Sequence, residues 1–212
     1  MQYLKVKRFF DVIISLACII ILAPLYMLIV FAIILDSRGP VLFKQERIGI
    51  HKCRFHILKF RTMRIDTPKD TPTHLLANPE IYITRVGKYL RKTSLDELPQ
   101  IINILVGEMS IIGPRPALWN QNDLVTEREL YGANDVLPGL TGWAQINGRD
   151  ELPIAVKARL DGYYVENMSF KMDIKCFLLT IWVVIKGKGV VEGGTGVLDN
   201  RQTRKKMETI SR

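Results

Sequence analysis

The apolar positions of this chain fall into one long run followed by many short periodic stretches. From Val12 to Leu35 there are 24 residues without a formal charge. A helix of that length covers about 36 Å at ~1.5 Å per residue, enough to cross a bilayer. The run is too long for the apolar part of a signal peptide, and no small-residue cleavage site follows before Asp36, so the segment is expected to stay in the protein. Pro24 falls in its middle. A proline there removes a main-chain hydrogen bond and clashes with the preceding turn, at about 3 kcal/mol unless the helix bends.

Beyond Gly39-Pro40 the pattern shortens. Val41 to Phe43 and Phe55 to Phe60 read as strands, rich in β-branched and aromatic residues, and Thr67 to Pro79, with three prolines among polar residues, reads as a surface loop. Helical spacing returns in Ile81 to Arg91, through Ile81, Val86 and Leu90. It appears again from about Ser94 to Val106, where Leu95, Leu98, Ile102 and Leu105 form an apolar stripe. Pro99 would remove a bond early in that helix, so its start lies either at Ser94 or nearer Leu98. Gly107 to Arg149 is rich in glycine and proline and reads as loops of the kind on which sites are built. Ala155 to Val165 and Met172 to Lys186 are further helices; the uncharged stretch Cys176 to Ile185 is too short to span a bilayer, which leaves a core helix or an interfacial one with Trp182 at headgroup level. The resulting class is α+β, mainly helical. A basic arm and membrane helix occupy residues 1–38, a compact body 39–186, and a glycine-rich, then basic, loose tail 187–212.

Charge refines this picture. The chain is 48% hydrophobic yet carries a net charge of +9, so apolar and basic residues are segregated, as suits an acidic partner beside a membrane. Nucleic acid, anionic headgroups and phosphate-bearing substrates all meet that description. Cys18 lies in the apolar run, and Cys53 and Cys176 are far apart without CxxC or Cys/His spacing. Neither a disulfide framework nor a zinc site is indicated, and a reducing, cytosol-facing body fits. Lys5, Lys7 and Arg8 precede the apolar run, while Arg38, Lys44, Arg47, Lys52 and Arg54 follow it. The positive-inside rule therefore asks for both ends in the cytosol. A helix that breaks near Ala23-Pro24 and returns through the same leaflet satisfies the charges and the proline. A kinked spanning helix also stays open, because proline is tolerated there.

The candidate chemistry centres on Arg91 to Gln100. Ser94 with Glu97 three residues later is the pattern of a capping box, with Asp96 placed to suit the helix dipole. The same position keeps a carboxylate ionised and attracts phosphate, which makes Asp96 a potential nucleophile. Neighbouring carboxylates lie about 100° apart on a helix, so Asp96 and Glu97 do not face one another as paired glycosidase acids do. Lys59 and Arg61 alternate with Phe60 and should share the opposite, half-exposed face of a strand. Arg115, between Pro114 and Pro116, has little backbone freedom and a planar fork suited to a diphosphate, or else it marks a rigid turn. Arg149 ends the Gly142-Trp143-Ala144-Gln145-Ile146-Asn147-Gly148-Arg149 loop. Trp143 and Gln145 offer stacking and hydrogen bonding to a base, or a buried core tryptophan. His51, His56 and His74 lack ligand spacing, the glycines after Lys186 make no P-loop, and no nucleic-acid motif appears.

Taken in order, Lys7-Arg8-Phe9-Phe10-Asp11, the Pro24 segment, Lys59-Phe60-Arg61-Thr62-Met63, Ser94 to Gln100, Gly113 to Pro116, Pro138 to Arg149 and Tyr163-Tyr164 resemble the monotopic phosphoglycosyl transferases, a group of bacterial sugar transferases. The resemblance covers most of the chain. It implies a re-entrant membrane helix broken at Pro24, ahead of a cytosolic domain with short strands and interfacial helices. It further implies transfer of a phospho-sugar from a UDP-sugar to polyprenyl (undecaprenyl) phosphate, with release of UMP through an aspartyl phospho-sugar, as the initiating step of a bacterial glycoconjugate or polysaccharide. On this basis Asp96 is the nucleophile and a contact of Mg2+, Glu97 its partner, and Lys59, Arg91, Arg115 and Arg149 bind substrate. The expected surroundings are membrane lipid at the cytosolic face of the inner membrane, with downstream glycosyltransferases as further partners and no nucleic acid. One departure is Ala23, where several members carry a serine before the proline; here the break must rest on Pro24 and its packing.

Overall fold

A computed structural model describes residues 2–67, 79–148 and 152–185. The long apolar run, extended by its basic arm, forms helix α1 (Gln2–Asp36), with Pro24 inside it. Its buried residues are Asp11, Ser15, Ile29 and Ile33. At about 100° per residue these four lie on a single stripe, because the eighteen residues from Asp11 to Ile29 make five whole turns. The stripe faces the rest of the protein along the length of the helix. Ile20, Ile21, Leu28, Phe31 and Leu35 point away and stay exposed, Leu35 at 86%.

Polar side chains fasten α1 at both ends. The Arg8 guanidinium donates to the carbonyls of Ile104 (2.5 Å) and Leu105 (2.8 Å), and Asp11 Oδ1 accepts from the Ile111 amide at 3.0 Å. Lys7 pairs with Asp173. Farther along, the Tyr26 hydroxyl donates to the Leu98 carbonyl at 2.6 Å. Ile29 and Ile33 pack with Phe60 and Leu90. Asp36 Oδ2 accepts from the Val86 amide at 2.9 Å.

Strands β1 (Leu42–Ile48) and β2 (Arg54–Phe60) form an antiparallel hairpin in the register Leu42↔Phe60 to Ile48↔Arg54. Strand β1 runs on beyond the apolar piece expected from the sequence because polar Lys44 to Arg47 also pair, and β2 begins one residue before the expected Phe55, at Arg54. Helix α2 (Arg85–Thr93) starts at Thr84, whose hydroxyl accepts from the Gly87 amide, and begins four residues later than the apolar spacing indicated. Gly87 is needed there, because a Cβ would stand 2.1 Å from the Thr62 carbonyl oxygen. The expected single helix from Ser94 is instead a 3-10 turn, Leu95–Glu97, followed by α3 (Gln100–Val106) capped by Pro99. Pro99 decides that division, as the absent amide would have fallen in the first turns of one long helix.

The glycine- and proline-rich region holds more regular structure than its composition indicated. Strands β3 (Ser110–Ile112) and β4 (Gly139–Thr141) pair in parallel, with α4 (Asn122–Glu129) between them and α5 (Trp143–Ile146) after. Helix α4 buries only Leu124 and Arg128, too little apolar surface to leave a helical period in the sequence. Helices α6 (Ile154–Glu166) and α7 (Phe170–Ile185) complete the body, with Ile112, Trp143, Leu160, Tyr164, Met172 and Cys176 in the main core. The core-helix reading describes one face of α7. Phe170, Ile174, Phe177, Leu178, Ile181 and Trp182 lie exposed on another, and the Phe170 ring meets Phe10 of α1 at 6.0 Å. Most of the Thr67 to Pro79 loop and the 187–212 tail lie outside the described residues.

Candidate active site

Asp96 is carried by a turn that local chemistry makes tight. Helix α2 ends at Ser94 in the left-handed conformation (φ 57°), and Pro99 caps the next helix without donating a bond. The chain between them closes through the Glu97 amide to the Ser94 carbonyl at 3.3 Å and the Leu98 amide to the Leu95 carbonyl at 3.3 Å. No capping box forms: the Ser94 side chain makes no capping bond. The Glu97 carboxylate reaches away to other partners.

Three elements converge on this turn. Lys59 comes from the last residues of β2, and its Nζ donates to Glu97 Oε1 at 2.8 Å. Arg115 follows β3, and its Nη2 donates to the same oxygen at 2.9 Å. Arg91 lies in the last turn of α2, with its Nε donating to the Thr62 hydroxyl at 2.9 Å. Asp96 is 9% exposed. Lys59, Arg91, Arg115, Asp96 and Glu97 are thus gathered about one turn. Arg149 lies outside the described residues.

The two acids titrate in opposite directions. Burial raises the Asp96 carboxyl above the ordinary aspartate range; Lys59 pulls it down, Glu97 adds to the rise, and Arg91 again pulls it down. Burial also works against ionised Glu97, but Arg115 and Lys59 outweigh it and hold that carboxyl well below the usual range. Glu97 is therefore a fixed anion between two cations. Asp96 is a largely desolvated carboxyl beside positive charge, the setting in which a carboxylate is a better nucleophile than in water. Among the described residues there is no cluster of three His, Cys, Asp or Glu able to hold a metal ion. A metal ion at this turn would be met by Asp96 of the pair, since Glu97 is held by Lys59 and Arg115.

The segment bearing Arg115 is tied down residue by residue. The Gly113 amide donates to the Thr141 carbonyl, and the Pro114 carbonyl accepts from the Gly139 amide, each at 2.8 Å. The Arg115 carbonyl accepts from Arg128 Nη2 at 3.0 Å, and the Pro116 carbonyl from Arg47 Nη1 at 3.0 Å. Arg128 in turn donates through Nε (2.9 Å) and Nη2 (2.6 Å) to Asp161 Oδ2 of α6. Sequence reasoning missed Arg128 and Asp161, and quoted Thr62 within a motif without giving it a role. The signal for Asp161 was present as a lone acid beside Leu160 and Gly162-Tyr163-Tyr164 on an otherwise apolar helix face.

Other expectations change place. Arg61 is buried instead of sharing an open face with Lys59: β2 ends at Phe60, and the guanidinium turns inward to the carbonyls of Ser37 (2.6 Å) and Arg38 (2.9 Å). Trp143 belongs to the core, stacked on Tyr163 at 5.7 Å with Lys175 over its face at 4.7 Å. The Gln145 amide is buried without a partner among the described residues.

The sequence profile of the family described as bacterial sugar transferase matches residues 2–187. A Bacillus subtilis (strain 168) protein named uncharacterized sugar transferase EpsL is 41% identical over 187 residues, covering 87% of this chain and 89% of that protein. An undecaprenyl-phosphate glucose phosphotransferase of Komagataeibacter xylinus is 42% identical over 185 residues, 82% of this chain but 35% of the relative. A UDP-glucose:undecaprenyl-phosphate glucose-1-phosphate transferase of Klebsiella pneumoniae is 38% identical, over 83% of this chain and 39% of the relative. The chain thus spans the length of the first relative and little more than a third of the other two. With a profile match along nearly nine-tenths of its residues, this chain belongs to the bacterial sugar transferases.

Proposed function

We propose that the protein transfers a phospho-sugar from a UDP-sugar to undecaprenyl phosphate through a covalent intermediate on Asp96. The carrying observation is a desolvated Asp96 carboxyl next to Lys59 and Arg91, with Glu97 already neutralised by Lys59 and Arg115. The relatives named above for undecaprenyl phosphate support the acceptor, and those named for UDP-glucose support the donor.

In the first displacement an Asp96 carboxylate oxygen bonds to the sugar-bearing phosphorus. The bridging P–O bond of the diphosphate breaks, and UMP leaves with its electron pair. Lys59, Arg91 and Arg115 stabilise the charge that spreads over the phosphoryl oxygens and the departing phosphate. In the second, an oxygen of undecaprenyl phosphate bonds to the same phosphorus while the P–O bond of the Asp96 acyl phosphate breaks, giving the lipid diphosphate sugar and free Asp96. Glu97 fixes the two cations that face the donor. Asp96 is the residue that would hold a Mg2+ ion arriving with the donor, since that ion commonly binds through one or two carboxylates plus phosphates, and the ion would neutralise diphosphate charge.

The seating of α1 supports a membrane-surface site. Body contacts at Lys7, Arg8 and Asp11 and again at Tyr26, Ile29, Ile33 and Asp36 extend over about 33 Å of helix between Asp11 and Ile33, roughly the hydrocarbon thickness. A helix spanning the bilayer would draw a polar body into it, whereas a re-entrant one keeps the body in the cytosol. The exposed apolar face of α7, continuous with α1 through Phe10 and Phe170, then lies at the headgroup level.

The test is an assay of detergent-solubilised protein with undecaprenyl phosphate, Mg2+ and a panel of UDP-sugars. UMP and a sugar diphosphate lipid are the expected products; release of UDP would mean transfer of the sugar without its phosphate and would end this reading.

A further inference from the structure

We infer that Arg128 and Asp161, remote from the reacting atoms, are positioning residues that set the height of Arg115 at the donor diphosphate. The inference rests on the proposed function, because it concerns Arg115 at that site. Arg128 lies on α4 and Asp161 on α6, and neither belongs to a motif containing the site residues. They are 5% and 1% exposed at their side chains. One guanidinium nitrogen, Nη2, serves two acceptors: Asp161 Oδ2 at 2.6 Å and the Arg115 carbonyl at 3.0 Å. Nε adds a second bond to Oδ2 at 2.9 Å, which fixes the plane of the group.

That geometry matters because of the segment it holds. Flanked by Pro114 and Pro116, Arg115 has neighbours without amide hydrogens, so the loop can be located mainly through its carbonyls. The Pro114 carbonyl is held by the Gly139 amide and the Pro116 carbonyl by Arg47; Arg128 holds the one between, on the residue whose side chain reaches Glu97. A displacement there is passed to the guanidinium of Arg115.

The pair is poorly explained as simple reinforcement. Burial raises the Asp161 carboxyl despite Arg128, and its Oδ1 has no hydrogen-bond partner among the described residues. Buried ion pairs commonly give no more stability than apolar packing of the same volume. What Arg128 supplies that an apolar residue would not is a directed bond to the Arg115 carbonyl.

A double-mutant cycle tests this, read as the KM for the UDP-sugar turned over fastest in the panel and, separately, for undecaprenyl phosphate. Arg128→Lys keeps a cation beside Asp161 but lacks the planar fork that meets both acceptors. It should raise the donor KM on the order of tenfold, the size of coupling seen within one hydrogen-bond network, and leave the lipid KM near wild type. In an Arg115→Ala background the same change should have little further effect on the donor KM. Full, independent effects in both backgrounds, or equal losses for both substrates, would reduce the pair to a structural brace. If Arg115→Ala leaves the donor KM unchanged, Arg115 is not at the diphosphate and that site assignment fails together with this inference. Should Arg128→Lys fail to fold, Asp161→Asn is run through the same cycle, since it frees the guanidinium to tilt while keeping the shape of the partner.

Discussion

Asp96 and Glu97 are adjacent in the chain yet meet opposite electrostatic surroundings, and the difference predicts separable pH behaviour. As the proposed nucleophile Asp96 would act ionised, and burial raises its carboxyl. Turnover should therefore fall as pH drops through a value above the ordinary aspartate range. Lys59 is the largest charge opposing that rise, so Lys59→Met should move the acid limb of kcat/KM, which reports the free enzyme, to higher pH. Glu97 adds to the rise, so Glu97→Gln should move the limb of its residual activity to lower pH. A pH–rate profile on each variant checks the signs, and shifts in the same direction would show that another group titrates. Asp96→Asn should lower turnover on the order of a thousandfold or more with an unchanged circular dichroism spectrum, the amide keeping the shape but not the nucleophile. Near-normal activity would return Asp96 to a structural role. Arg115→Lys should raise the donor KM although the charge is kept, because a lysine offers no planar fork.

At the scale of elements, the candidate cluster was legible wherever its residues are local in sequence. Asp96, Glu97 and Arg91 lie within seven positions, and the Pro-Arg-Pro triplet advertises its own rigidity. What the sequence hid is long-range. The capping-box pattern at Ser94 was locally plausible and lost because Lys59 and Arg115 bind the Glu97 carboxylate more strongly than a helix amide would. Helix α4 left no period because its main buried polar group, Arg128, answers an acid 33 residues on. The two short parallel strands were masked by glycines. The actual conformation of Ser94 makes its own prediction. A residue at φ 57° whose side chain makes no capping bond should accept glycine, so Ser94→Gly should stabilise the protein by roughly 0.5–1 kcal/mol, or about 1–4 °C in Tm for a chain of this size. The capping-box arrangement would have required a loss, and thermal unfolding followed by circular dichroism separates the two signs.

At the scale of the whole molecule, the question is where the membrane lies against α1. Asp11, Ser15, Ile29 and Ile33 share the stripe that faces the body, so the helix is attached to one polar domain near its start and near its end. Basic residues flank the apolar run on both sides, and Pro24 stands at its centre. The proposed reaction adds an independent demand, since a water-soluble donor and a lipid phosphate meet only at the membrane surface. These features together predict that Gln2 and the body after Gly39 share the cytosolic side, with the apolar run entering a single leaflet. Cysteine labelling in intact cells can decide it, with reporters placed singly at Gln2 and at Thr209 after Cys18, Cys53 and Cys176 are replaced and activity is confirmed. An impermeant thiol reagent should reach neither reporter until the membrane is opened. Labelling of the Gln2 reporter from outside would mean that α1 spans, which would oblige the contacts of Lys7, Arg8 and Asp11 with the body to separate in the membrane, while leaving the cluster around Asp96 standing.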